Sequence, residues 1–138
     1  MNQNPLLLLL WLLLLSLPGL SQTRDQWNTS SPGERFEVHD NLKREELTVV
    51  VFYSEKSEAC QRFSQDLEAL AQRDKGFKVG YLNIDRASAK TIDWTSPLAR
   101  QYNLRAVPYV VVFEGKSKLA EGYDARKLLL ERSDSIGR

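Results

Sequence analysis

Val49-Val50-Val51-Phe52-Tyr53-Ser54-Glu55-Lys56-Ser57-Glu58-Ala59-Cys60-Gln61-Arg62-Phe63 is the stretch on which the fold turns. Residues 48–53 are β-branched or aromatic with little alternation, which predicts a strand buried on both faces. Ser54 to Ser57 is polar and breaks the run. From Cys60 onward Phe63, Leu67, Leu70 and Ala71 recur at helical spacing with Gln, Asp and Glu between them, and Gly76 closes that helix. The unit is strand, turn, helix, and Ser-x-x-Cys spans the start of the helix. Cys60 is the only cysteine in the chain. Two cysteines at this spacing would open and close a disulfide within one turn. Ser57 cannot, so the chain cannot cycle an internal disulfide on its own.

Reading outward, residues 36–38 (Phe36, Val38) predict a short strand before this unit. Residues 77–85 predict a second central strand ending in a polar turn at Asn83-x-Asp85. Ser96-Pro97 starts a helix to about residue 102, Ser as cap and Pro at the first helical position. Residues 109–113 and 117–121 predict two strands joined by Glu114-Gly115-Lys116, and residues 125–131 a last amphipathic helix. Crossover helices imply parallel pairing in the first half, and the tight turn an antiparallel hairpin in the second.

In front of this domain, residues 6–15 are apolar almost without interruption, and Pro18-Gly19 ends the run. Even to Leu20 the run falls short of the ~20 residues of a membrane-spanning helix. Gly19-x-Ser21 has the small-x-small pattern of a cleavage site. The expectation is a signal peptide over residues 1–21, a flexible polar leader over 22–34, one domain over 35–132 and a tail over 133–138. The protein is then periplasmic or secreted, and meets a membrane only if the apolar segment is retained. Asn28-Thr29-Ser30 is a glycosylation sequon.

Nineteen basic and 18 acidic residues leave a net charge of +1. Their even spread speaks against nucleic acid as a partner. No His, Cys, Asp or Glu cluster has metal-ligand spacing and no glycine-rich phosphate loop occurs, so no metal and no cofactor is expected.

The order of elements, with two local motifs, resembles the thioredoxin fold, an α/β architecture with a central mixed sheet flanked by helices. Phe52-Tyr53 is similar to the family's Phe-Trp, and Ser57-Glu58-Ala59-Cys60 falls on its Cys-Gly-Pro-Cys. Tyr102-Asn103-Leu104-Arg105-Ala106-Val107-Pro108 is similar to the stretch before its cis-proline, and Asn83-x-Asp85 and Gly122 also fit. The departures concern redox chemistry. The attacking cysteine is Ser57, the preceding tryptophan is Lys56, the spacer is Glu58-Ala59, and the buried acid that assists proton transfer falls at Val51. Residues 86–95, with Trp94, read as an insertion.

These features give two readings. In the first, the domain is redox-inactive and binds protein or peptide clients or partners through Tyr53, Lys56, Val107 and Pro108. The resemblance implies that the loop before Pro108 pairs with extended peptides. In the second, Cys60 is a monothiol in thiol–disulfide exchange or isomerisation, a reaction that takes its second thiol from outside. A helix start, Lys56 and Arg62 favour the thiolate, while Glu58 opposes it. Against this, Cys60 begins the apolar face of Phe63 and Leu67, and a free cysteine is commonly a buried small hydrophobe. Ser57 reads as a helix cap. A nucleophilic serine needs a base, and the only histidine, His39, reads as a surface residue in another segment. Trp94 reads equally as a partner anchor or as cover for the core.

Overall fold

The structure is a computed structural model, and it describes residues 25–136. The expected signal peptide lies outside the described residues. A four-stranded sheet forms the centre, with strands β1 (Leu47–Tyr53), β2 (Lys78–Asn83), β3 (Tyr109–Glu114) and β4 (Ser117–Glu121). The spatial order is β2-β1-β3-β4. β1 runs parallel to β2, with Val50 opposite Gly80 and Tyr53 opposite Asn83. β3 lies antiparallel to β1, pairing Tyr109 with Phe52, and β4 antiparallel to β3. The helices are α1 (Glu58–Arg73), α2 (Pro97–Gln101) and α3 (Tyr123–Ile136).

The two-residue period of β1 divides the core. Val50 and Phe52 face one side, among Leu82, Ile84, Leu98, Leu104, Val111 and Phe113. Val49, Val51 and Tyr53 face the other, among Cys60, Leu67, Leu70, Tyr81, Val112 and Leu129. Both faces are closed, which accounts for the unalternating apolar run. Full burial of a side chain such as Phe52 contributes about 1.5–3 kcal/mol, and β1 is buried at every residue after Leu47.

Three expectations are corrected. Phe36 and Val38 do not form a strand; residues Val38–Asn41 form a 3-10 turn. The backbone of Phe36 is satisfied by side chains instead. Its N–H donates to Gln101 Oε1 at 2.9 Å, and its carbonyl accepts from Gln101 Nε2 at 3.0 Å and Tyr102 Oη at 2.8 Å.

The described part of the leader, residues 25–34, is a strap along the outer edge of β2. Trp27 N–H donates to the Tyr81 carbonyl and Tyr81 N–H to the Asp25 carbonyl, each at 2.9 Å. Asn28 clamps Asn83 with both ends of its amide: Nδ2 donates to the carbonyl at 2.8 Å, and Oδ1 accepts from the N–H at 3.0 Å. Asn28 is thus buried, and the nitrogen that would carry a glycan is engaged. The Trp27 indole lies on Gly80 so closely that a Cβ there would stand 2.1 Å from Cζ2.

The last helix begins at Tyr123 and runs to Ile136, through residues expected as a tail. Arg132 pairs with Asp74 and lies over the Phe77 ring, 5.6 Å from its centroid. Ser133 Oγ accepts from Arg73 at 3.4 Å. These contacts with the end of α1 and the start of β2 hold the added turns. Among the described residues no helix is long and apolar enough to cross a membrane.

Candidate functional site

The strand registers bring three loops to one end of the sheet. Because Tyr53 and Asn83 are parallel partners, the segments that follow them emerge side by side, joined by a 3.0 Å bond from Ile84 N–H to the Tyr53 carbonyl. β3 starts opposite Phe52, so the loop ending in Pro108 enters at the same edge. The turn at residues 54–57, the segment from Asp85 and the Pro108 loop therefore border one surface.

Ser57 is the N-cap of α1. Its Oγ accepts from Cys60 N–H at 3.3 Å, its backbone is extended, and its carbonyl accepts from Gln61 N–H at 3.2 Å. This is the capping role expected of it, and it satisfies one of the orphan donors of the first turn. His39 is not its base. It is exposed and stands edge-on to Phe113, with centroids 5.7 Å apart, on the sheet face opposite the Cys60 cluster.

Cys60 is 1 % exposed and packs within the cluster of Val51, Tyr53, Leu67 and Tyr81. Val51, the position at which the resemblance implies a buried acid, is completely buried in the same cluster and supplies no proton acceptor. The cluster that the thiol joins is built of apolar and aromatic side chains, and solvent hardly reaches it.

Tyr53 was expected at a partner-binding surface, and that is corrected. It is 2 % exposed, meets Tyr81 edge to face at 5.9 Å, and donates its hydroxyl to Gln26 Oε1 at 2.8 Å. The strap covers it. Lys56 remains accessible, and its Nζ is 3.6 Å from Asp85 Oδ2.

Asp85 is the residue that motif reading passed over. It is 3 % exposed. Oδ2 accepts from Ser54 Oγ at 2.6 Å and faces Lys56, while Oδ1 accepts from the Asp93 N–H at 2.8 Å. Ser54 Oγ in turn accepts from Lys56 N–H at 3.1 Å. One carboxylate thereby ties the turn to the insertion. The insertion has its own anchor, since Arg86 grips Asp93 through Nε at 2.8 Å and Nη2 at 3.1 Å. The Arg86 guanidinium holds the Asp93 carboxyl down to about 2. Ile92 packs against the core and Trp94 is left 40 % exposed. The signal for Asp85 was its place in Asn83-x-Asp85, but its partners lie too far away in sequence to be read.

In the third loop, the Val107–Pro108 peptide is cis. Pro108 is buried, Val107 half-buried, and Arg105 and Ala106 exposed. Val107 packs against both core clusters. Its backbone N–H and carbonyl make no hydrogen bond with any described residue. Among the described residues no group of three or more His, Cys, Asp or Glu is placed to hold a metal ion.

A mixed sheet with this order, a capped helix after the central strand and a proline loop beside it define an α/β domain of the thioredoxin fold. Solved structures agree. Thioredoxin f2 of Chlamydomonas reinhardtii superposes with a TM-score of 0.56 at 16 % identity, over 83 % of this chain and 98 % of that one. Trichomonas vaginalis thioredoxin gives 0.56 at 18 % identity over 81 % and 96 %. The short form of spinach chloroplast thioredoxin f gives 0.53 at 15 % over 76 % and 90 %. No curated protein sequence matches the chain. The sequence pattern of the family described as "Thioredoxin-like domain" matches residues 38–132, most of the chain, and the protein belongs to that family.

Proposed function

We propose that this is an exported, redox-inactive client-binding module, which holds an extended segment of a partner protein against the Pro108 loop. The observation that carries the reading is the pairing of an open backbone with a closed thiol. Val107 offers an unused N–H and carbonyl at the surface end of the sheet, while Cys60 is sealed in the core. An extended peptide adds affinity by completing such main-chain hydrogen bonds, and neighbouring side chains add selectivity. Lys56 borders the same end of the sheet, and Trp94 sits on the insertion held by Asp85; Trp is a favoured anchor at binding hot spots. The apolar run at residues 6–15 supports export to a periplasmic or secreted location.

The experiment is NMR titration of the protein with a library of extended peptides. Binding peptides are expected to shift the Val107 amide, to bind Cys60→Ser as tightly as the parent, and to lose about fivefold or more in affinity with Trp94→Ala, in line with hot-spot truncations. Peptides that bind only while Cys60 is present would favour the monothiol reading instead.

A further inference from the structure

The insertion and α2 border a second surface feature, separate from the Val107 backbone. Arg35, Arg86, Thr95, Pro97, Arg100 and Gln101 line an open recess of about 500 Å³. Three of the six are arginines and none is a carboxylate. Arg86 is held in place by Asp93 and Thr95 through Nε and Nη2, so its Nη1 donors are not used by that grip. Arg100 is exposed, and its side chain makes no hydrogen bond or ion pair with any described residue. Arg35 has one loose, exposed counter-ion, Glu37 at 4.0 Å. The Gln101 amide is turned to other partners, its oxygen accepting from the Phe36 N–H and its nitrogen donating to the Phe36 carbonyl and Glu37. The wall therefore presents donors and positive charge with little to satisfy them.

We propose that this recess binds a phosphate-type oxyanion, the terminal oxygens of a phosphate monoester. A guanidinium fork matches two oxygens at a time. The two guanidinium forks of Arg35 and Arg100, with the Nη1 donors that the Asp93 grip leaves on Arg86, exceed what a carboxylate's two oxygens can use, whereas a phosphate monoester brings three terminal oxygens and a charge of about −1.5 to −2 at neutral pH. The fixed Arg86 lowers the ordering cost, because Asp93 already holds its guanidinium and with it the Nη1 donors. Glu37, and Glu34 beside Arg86, oppose the anion and keep the affinity modest. The inference stands independently of client binding at Val107.

The test is titration of the full domain with phenyl phosphate, followed by amide and arginine Nε–H NMR signals, with acetate at matched ionic strength as control. Saturable shifts confined to Arg86, Thr95 and Arg100, weakened about fivefold or more by Arg100→Gln and by Arg35→Gln, are expected. Both substitutions are at exposed positions and leave the core untouched. Equal shifts with acetate, or unchanged affinity in both variants, overturn the proposal. Co-sedimentation with vesicles containing phosphatidic acid, against phosphatidylcholine alone, identifies the source. Phenyl phosphate binding without vesicle binding assigns a soluble ester, binding to both assigns a lipid headgroup, and binding to neither overturns the site.

Discussion

Ser54 Oγ donates a 2.6 Å hydrogen bond to Asp85 Oδ2, and both residues are buried where β1 and β2 end side by side. The bond closes the base of the turn at residues 54–57. Deleting the hydroxyl leaves the carboxylate short of a donor and the Lys56 N–H short of an acceptor. Ser54→Ala is expected to lower unfolding free energy by about 1–3 kcal/mol, read from urea denaturation. Asp85→Ala strips Ser54, Lys56 and the Asp93 N–H of a partner at once and is expected to cost more. A neutral Asp85→Ala would refute the structural role given to this residue.

The Arg86–Asp93 pair makes stability depend on acid in a defined window. The Asp93 carboxyl is held at about 2 in the folded chain, whereas an unfolded aspartate titrates near 3.9. Its folded value is depressed, so its contribution is complete above about pH 4 and is lost as pH falls through about 2. The stability difference between parent and Asp93→Asn is therefore expected to be constant from neutrality to about pH 5 and to shrink below about pH 4. Denaturation curves of both proteins across that range measure it.

Much of the centre was legible from residue pattern alone. The apolar run of β1, the caps at Ser57 and Ser96 and the hairpin at Gly115 each use chemistry contained within a few residues, and the structure has them in place. The strap was not legible. Gln26, Trp27 and Asn28 look like loop residues, and what orders them lies on β2: the Tyr81 backbone, the Asn83 backbone and the bare face of Gly80. The same holds for Tyr53, whose aromatic ring suggested a surface until the strap covered it. In the site, the Ser57 cap was readable, but Asp85 meets Ser54 only through the parallel register of β1 and β2.

Gly80 supplies the sharpest check on the strap. Any side chain there meets the Trp27 indole, so Gly80→Ala must displace either the strap or β2. Overpacking of this kind costs about 1–3 kcal/mol. The expected signature is faster amide exchange at Trp27 and Tyr81, together with a rise in Trp fluorescence wavelength as the indole meets water. Unchanged exchange at both amides would show that the strap does not depend on the bare glycine face.

The most direct measurement is the alkylation rate of Cys60 by iodoacetamide in the folded protein from pH 6 to 9, alongside trapping of mixed disulfides with a small disulfide reagent. A sealed thiol reacts only through unfolding, so alkylation is expected to be far slower than in the denatured chain and to accelerate in step with urea, with no mixed disulfide under native conditions. Native alkylation as fast as that of an exposed thiol, with mixed disulfides accumulating, would contradict the account and make Cys60 the working group of the domain.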